Sequence, residues 1–226
     1  MVGPMELPIE KKLDDQARVD RARLQDDVVE SLYNVNPTTV LHGGTAIWRC
    51  YGGNRFSDDI GLYLLTDRES ERVREGLVWA IRKFGIDIDK SRAIRDTTVV
   101  TVKRGTASVR IEMARNKTRI RPVDRNFERV NGTYLNILTL SPEDFIVEKI
   151  ATYSNRRYVR DLYDIYHLSN MVENGKSINR KMCNFLRGIE KPADEGVLKS
   201  IVYAGAVPSF QGMVSQIKRR FCEVHR

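Results

Sequence analysis

The chain has 226 residues, of which 41% are hydrophobic, and its 38 Lys and Arg against 30 Asp and Glu give a formal net charge of +8. This balance is that of a globular protein of one large or two small domains, and it excludes a disordered chain. No apolar run reaches the roughly 18–20 residues of a membrane span, and residues 1–15 lack a signal-peptide pattern, so we expect no membrane partner.

The cysteines indicate a reducing compartment. Cys50, Cys183 and Cys222 are far apart and form no CxxC pair. This spacing argues against a structural zinc site or a disulfide framework, so we expect all three to be packing residues. The cytoplasm is the expected location.

The first half of the chain predicts helices alternating with short strands. An apolar stripe over residues 8–34 predicts one long amphipathic helix, and Val40-Leu41 predicts a strand that ends at a glycine pair. Further helices are expected over 44–51 and 67–84, the second with Val73, Leu77, Val78 and Ile81 facing inward. Strands are expected over 60–65, 97–103 and 107–113, with another one or two between 119 and 140.

The second half predicts helices only. Ser141-Pro142-Glu143-Asp144 is a strong helix start, because serine caps, proline fits the first turn and the acids suit the helix dipole. The helical segments are expected over 142–155, 158–171, 177–187, 192–203 and 209–224. The prediction is therefore an α+β fold: residues 1–140 form a mixed sheet with flanking helices, and residues 141–226 form a helical bundle.

Asp59 and Gly61 stand where a metal site would need two acids. Residues i and i+2 of a strand share a face, so carboxylates at 59 and 61 would converge on one or two Mg²⁺ (or Mn²⁺) ions against a triphosphate. With Gly61 one ligand is missing, and Asp58 faces the other way. Glu112, between apolar strand residues, is the candidate third acid, and the alternative is an ion-paired strand residue.

The glycine pair Gly43-Gly44 precedes a predicted helix. It lets the backbone approach phosphate closely, and the helix N-terminus supplies N–H groups with partial positive charge. Thr45 adds a hydroxyl. Ser57, two residues before Asp59 and on the same face, is expected beside the bound nucleotide.

Two separated segments resemble one protein family. His42-Gly43-Gly44-Thr45-Ala46 and Arg55-Phe56-Ser57-Asp58-Asp59-Ile60 resemble the GG[TS] turn and R-F-S-x-D-[IL]-D pattern of the AbiEii/AbiGii (MenT-like) toxins, members of the DNA polymerase β-type nucleotidyltransferase superfamily. Glu148-Lys149-Ile150-Ala151, Arg157 and Arg160-Asp161-Leu162-Tyr163-Asp164-Ile165 resemble the motif of the helical half. The resemblance covers about residues 35 to 170 and implies a nucleotidyltransferase-type sheet.

The resemblance also implies residue roles. Gly43, Gly44 and Thr45 would bind phosphate, and Asp59 would bind the metal. Lys149 would contact the triphosphate, and Asp161 would support catalysis or position Lys149. The alternatives are that Lys149 is a plain solvated lysine and that Asp161 and Asp164 pair with Arg157 and Arg160. The departure is Gly61, where the family has an acid.

The implied activity is transfer of a nucleotide from an NTP to the 3′ end of tRNA, which blocks translation and is countered by a separate antitoxin. The otherwise complete motif indicates that this chain is an inactive variant; the alternative is a natural pseudoenzyme. Nucleotidylation of a protein, or a dead module that binds nucleotide or RNA, are the competing functions. The sequence has three basic clusters, at residues 115–129, 156–160 and 218–220. They could form a surface that binds the phosphates of RNA or of the triphosphate, and the alternative is a solvated surface without a partner.

Overall fold

A computed structural model describes residues 7–64, 67–94, 97–115, 121–173 and 175–223. The chain forms two compact units. The first comprises residues 1–52 and 56–139, and the second comprises residues 53–55 and 140–226. The short segment 53–55 is thus an early contribution to the second unit, which no feature of the sequence indicates.

A mixed sheet forms the centre of the first unit. Within the described residues it has seven strands, in the order β3-β4-β5-β2-β1-β7-β6. Their bounds are β1 Val40–His42, β2 Ile60–Leu64, β3 Asp87–Ile94, β4 Thr97–Arg104, β5 Ala107–Arg115, β6 Val123–Glu128 and β7 Tyr134–Thr139. β1 runs parallel to β7 and β2 parallel to β5, whereas the other neighbours are antiparallel. The predicted sheet is confirmed, with β3 as an additional edge strand.

Four helices accompany this sheet in the described part of the first unit. They are α1 Ile9–Lys12, α2 Gln16–Val35, α3 Gly43–Cys50 and α4 Asp67–Phe84. The prediction of a single helix over 8–34 is wrong, because the side chain of Asp15 accepts a hydrogen bond from the Ala17 N–H and starts α2 anew. In α4, Val73 and Leu77 are buried as predicted, whereas Val78 is 40% exposed.

The core of the first unit includes a fully buried apolar stripe of α2, with Leu24, Val28 and Leu32 at 0% exposure. Each such side chain contributes about 1.5–3 kcal/mol on burial. Next to this stripe, Asp26 pairs with the buried Arg49 of α3 and accepts the Val130 N–H at 2.9 Å. Burial raises the pKa of Asp26 to about 6, although Arg49 opposes the rise. This pair ties α3 to α2.

The described residues of the second unit are helical, apart from turns and an isolated bridge. Its helices are α5 Pro142–Arg156, α6 Val159–Ser169, α7 Asn179–Arg187, α8 Leu198–Ile201 and α9 Phe210–Cys222, with 3-10 turns over Gly175–Ser177 and Glu195–Val197. Ser141 caps α5 as predicted, its hydroxyl accepting the Asp144 N–H at 3.1 Å. The helix predicted over 192–203 is instead a 3-10 turn followed by the four residues of α8. The predicted fold class, a mixed sheet followed by a helical region, is confirmed.

The cysteine prediction is wrong for two of the three residues. Cys183 of α7 and Cys222 of α9 form a disulfide, with their Cα atoms 5.8 Å apart, and Cys50 is the free cysteine. The spacing in sequence gave no sign of this, because the two residues meet only when α7 packs on α9. Every helix in the described ranges is too short or too polar to cross a membrane.

Candidate functional site

A glycine turn connects β1 to α3. β1 ends at His42, and Gly43 has φ +78°, a conformation that L side chains rarely adopt. A Cβ at Gly43 would meet nothing within 4 Å, so the backbone here is open to a ligand. The turn places the N-terminal N–H groups of α3, with their partial positive charge, where a phosphate could approach.

Thr45 connects this turn to Asp59. Thr45 is fully buried, and its hydroxyl donates a hydrogen bond to the backbone carbonyl of Asp59. Gln25 of α2 supports the same segment, since its amide donates to the carbonyls of Ser57 at 2.9 Å and Asp58 at 3.0 Å. Ser57 itself is buried. Thr45 and Gln25 therefore position the backbone that carries Asp59.

The three central strands bring the predicted metal positions side by side. Gly61 of β2 lies opposite His42 of β1 and opposite Glu112 of β5. Asp59 immediately precedes β2, and its side chain is 56% exposed. Because residues in register share a face, positions 42, 61 and 112 lie on the same side of the sheet.

Arg110 lies beside both carboxylates. Its guanidinium nitrogens are 3.7 Å from Asp59 Oδ2 and 3.0 Å from Glu112 Oε2. All three side chains are about half exposed, so each ion pair contributes no more than about 1 kcal/mol. The ion pair with Arg110 and the contact with solvent together explain why β5 can carry the Glu112 carboxylate between apolar residues.

The residues present do not fit the two-acid metal site that the family pattern implies. Among the described residues, no three His, Cys, Asp or Glu side chains gather as ligands for one metal ion. The imidazole of His42 lies over Gly61, with three of its atoms 3.0–3.2 Å from where a Cβ would be, and it stacks on Tyr63 at 3.7 Å. An acid at 61 therefore needs His42 to shift by a few tenths of an ångström.

The second unit contains a buried ion cluster built on Lys149. Its ammonium lies 3.2 Å from Asp161 Oδ1 and 2.8 Å from Asp164 Oδ2. Asp161 also accepts two hydrogen bonds from Arg156, at 2.8 and 2.9 Å, and Asp164 accepts two from Arg55, at 2.5 and 2.6 Å. Lys149 is thus a buried, doubly paired lysine and not a solvated one.

Charge compensation allows this cluster to be buried. Burial raises the pKa of Asp164, but the charges and hydrogen bonds of Arg55 and Lys149 outweigh it, so the pKa lies below its usual range. Burial lowers the pKa of the Arg55 guanidinium, and Asp164 more than offsets this. Both groups are therefore ionised at neutral pH.

The arginines near Asp161 and Asp164 differ from those expected. Arg157 pairs with Glu190, and Arg160 lies over the Tyr158 ring at 5.3 Å, whereas Arg156 and Arg55 reach the aspartates. Arg55 belongs to the Arg55-Phe56-Ser57 motif segment, but the sequence predicts no role for it. The only sequence signal that could have identified Arg110 as a site residue is its i+2 spacing to Glu112. For Gln25 the only such signal is its place next to the apolar stripe of α2.

The fold is that of nucleotidyltransferases. The structure matches the crystal structure of JHP933 from Helicobacter pylori with a TM-score of 0.60 and 16% identity, covering 93% of each chain. It also matches a second crystal structure from H. pylori, of a protein with a provisional nucleotidyltransferase assignment, with a TM-score of 0.60 and 17% identity over 93% of this chain and 96% of that one. No curated protein matches the chain.

A family model identifies the class more closely. Residues 28–192 match the model described as the nucleotidyl transferase AbiEii toxin of type IV toxin–antitoxin systems. The chain belongs to this family. The match includes the glycine turn, Asp59 and the Lys149 cluster, so the predicted resemblance is confirmed.

Proposed function

We propose that this protein is a toxin-type nucleotidyltransferase whose acceptor is the 3′ end of tRNA, so that its action blocks translation. The observation that carries the proposal is the hydrogen bond from Thr45, in the first turn of α3, to the Asp59 carbonyl. It fixes an exposed carboxylate relative to a phosphate-binding turn. A cognate antitoxin would be the second protein of the pair, and a tRNA target places the activity in the cytoplasm.

The proposed reaction is an in-line displacement. The acceptor hydroxyl oxygen attacks the α-phosphorus of the NTP, pyrophosphate departs with the electrons of the broken P–O bond, and the hydroxyl proton passes to water. The N–H groups that follow Gly43 would bind the phosphates. The family resemblance makes Lys149 the proposed phosphate contact of the second unit, with Asp161 as its positioning residue. Because Lys149 is buried between Asp161 and Asp164, this contact requires one of the two ion pairs to open.

We propose further that Gly61 impairs this activity. A glycine at this position removes a carboxylate charge and leaves Asp59 and Glu112 with Arg110 between them. Restoring the acid with Gly61→Asp would supply the missing ligand for Mg²⁺ (or Mn²⁺). Gly61→Ala is the matched control, because it introduces the same Cβ contact with His42 without a charge.

The test incubates wild type, Gly61→Asp and Gly61→Ala with total tRNA, Mg²⁺ and each labelled NTP in turn. We expect label in RNA with Gly61→Asp alone. Label that migrates with protein would show that the acceptor is a protein and not tRNA. No label in either fraction from any variant would contradict the proposal that Gly61 alone limits the reaction.

A second candidate function is a binding module without transferase activity. The observation in its favour is the His42 imidazole, which lies over Gly61 and stacks on Tyr63 in the space beside the missing acid. In that case nucleotide or RNA binding by the wild type would persist while the Gly61→Asp variant stayed inactive.

A further inference from the structure

A cavity of about 700 Å³ lies in the second unit, lined by both polar and apolar side chains. Its lining comes from residues 170–173 after α6, the 3-10 turn Gly175–Ser177, the first residue of α7 and one side of α9. Three of the lining side chains are the cations Lys176, Arg219 and Arg220, and one is the carboxylate of Glu173. The cavity therefore carries an excess of positive charge.

Close packing builds the walls of this cavity. A Cβ on Gly175 would lie 2.6 Å from Asn179 Oδ1 and 3.1 Å from the Phe221 ring, so only glycine lets the turn approach α9 this closely. Phe221 is 3% exposed, and the next residue, Cys222, is bonded to Cys183 of α7. In the disulfide form, the helix that carries both arginines is thus covalently held to α7.

One of the two arginines is already oriented. The Arg220 guanidinium donates a hydrogen bond to the Val172 carbonyl at 2.6 Å. Arginine has five N–H donors, so this bond fixes the group and leaves further donors for an anion. Fixing the group in advance lowers the entropy cost of binding a ligand.

The two arginines also differ from Arg156 and Arg157 of the second basic cluster. Within the ranges that the structure describes, no carboxylate forms an ion pair with Arg219 or Arg220. By contrast, Arg156 is bonded to Asp161 and Arg157 to Glu190. In the first basic cluster, Arg129 pairs with Glu30, while Lys117 and Arg119 lie outside the described residues. Arg219 and Arg220 therefore keep their positive charge for a partner.

We propose that this cavity binds the phosphodiester backbone of RNA. The inference deepens the proposed function, because it rests on RNA as the acceptor and assigns a surface to hold it. Apart from Glu173, the polar side chains of the cavity are cations and amides, including Gln216, which donates to Asn170 at 3.1 Å. Of the apolar lining residues, Phe221 is too buried to stack on a base. The cations and amides recognise phosphate and ribose, so the binding is independent of sequence.

The experiment measures binding of fluorescently labelled tRNA by anisotropy, without NTP, across a series of salt concentrations. The variants are Lys176→Gln/Arg219→Gln/Arg220→Gln and the single Arg219→Gln, which removes no hydrogen bond seen in the structure. We expect the triple variant to bind about tenfold or more weakly and its log K against log salt slope to fall by about 2–3. The single variant should lose about 1 from the slope.

The matched control removes three exposed cations of the first unit, with Arg82→Gln/Lys90→Gln/Arg92→Gln. Equal losses in the control and the triple variant, or unchanged binding in Arg219→Gln, would overturn the proposal, as would a wild type that does not bind tRNA. Binding lost only in the cavity variants supports it even if no variant transfers label. In that outcome the transferase proposal fails and the RNA surface stands.

Discussion

Asp164 shows how a single buried residue contributes to the stability of the second unit. It is fully enclosed and accepts hydrogen bonds from Arg55, while Lys149 lies 2.8 Å away. A buried carboxylate is tolerated because two cations compensate its charge, and each of those cations depends on it in turn. Removing one member of this cluster therefore lowers the free energy of unfolding by more than the ion pair itself contributes to it.

Replacing Asp164 by Asn should destabilise the protein by about 3–5 kcal/mol at pH 7, because Arg55 is left buried without its counterion. Denaturant unfolding measures the change. Asp124→Asn, an exposed acid on β6, is the control and should stay within about 0.5 kcal/mol of wild type. Wild-type stability in the Asp164 variant would show that the cluster is not needed for folding.

The same substitution should change the dependence of stability on pH. Arg55 and Lys149 hold the folded pKa of Asp164 below that of the unfolded chain, despite the opposing effect of burial. Its contribution is therefore complete above the unfolded pKa of about 3.9 and is lost as pH falls through the lower folded value. Between about pH 5 and 2 the wild type should lose stability more steeply than Asp164→Asn, as unfolding at stepped pH would reveal.

Thr45 offers a test of positioning at the glycine turn. In the Gly61→Asp background, Thr45→Val keeps the buried shape but removes the hydrogen bond to the Asp59 carbonyl. We expect stability to fall by about 1 kcal/mol and the rate of labelled transfer by roughly tenfold or more, because small misplacements of reacting groups are costly. Thr45→Ser, which keeps the hydroxyl, should retain most of the transfer. Equal rates in the two variants would contradict the positioning role.

At the scale of elements, the disulfide between α7 and α9 is a covalent constraint on the C-terminal helices. It closes a loop with a sequence separation of 39 residues. By the chain-entropy estimate such a link contributes about 4 kcal/mol, and measured values are commonly 2–4 kcal/mol. In a reducing cytoplasm the pair would be dithiol, so the stability of this region depends on the redox state.

Cys183→Ser/Cys222→Ser should therefore lower the free energy of unfolding by about 2–4 kcal/mol under oxidising conditions. Adding dithiothreitol to the wild type should produce the same decrease, and Cys50→Ser is the control with the disulfide intact. A wild type whose unfolding is the same with and without reductant would show that the link adds nothing to stability.

Elements with a strong local signal were predictable. The cap at Ser141 and the apolar alternation of β4 and β5 depend on neighbouring residues, and the structure confirms them. β3 was missed because its sequence, Asp87 to Ile94, is charged on both sides of the alternation, as suits a solvated edge strand. The sequence predicts one helix in place of α1 and α2, because a periodic stripe does not show that Asp15 caps a new helix.

At the scale of the whole molecule, the predictable part of the candidate site is the part encoded in short motifs. The glycine turn and the place of Asp59 follow from residues close in sequence. The partners of these residues do not, since Arg55 and Asp164 are 109 positions apart and the Arg110–Asp59 pair depends on β5 lying beside β2. Register and long-range pairing are properties of the folded chain.

The assignment of residues 53–55 to the second unit has a consequence for synthesis. The ribosome makes Arg55 109 residues before Asp164, its partner. At about 5–20 residues per second, the guanidinium emerges roughly 5–20 s before the carboxylate that neutralises it. The nascent first unit therefore carries a short undocked segment until α6 is complete. For the same reason, a fragment beginning at residue 140 would lack the arginine that its buried aspartate requires.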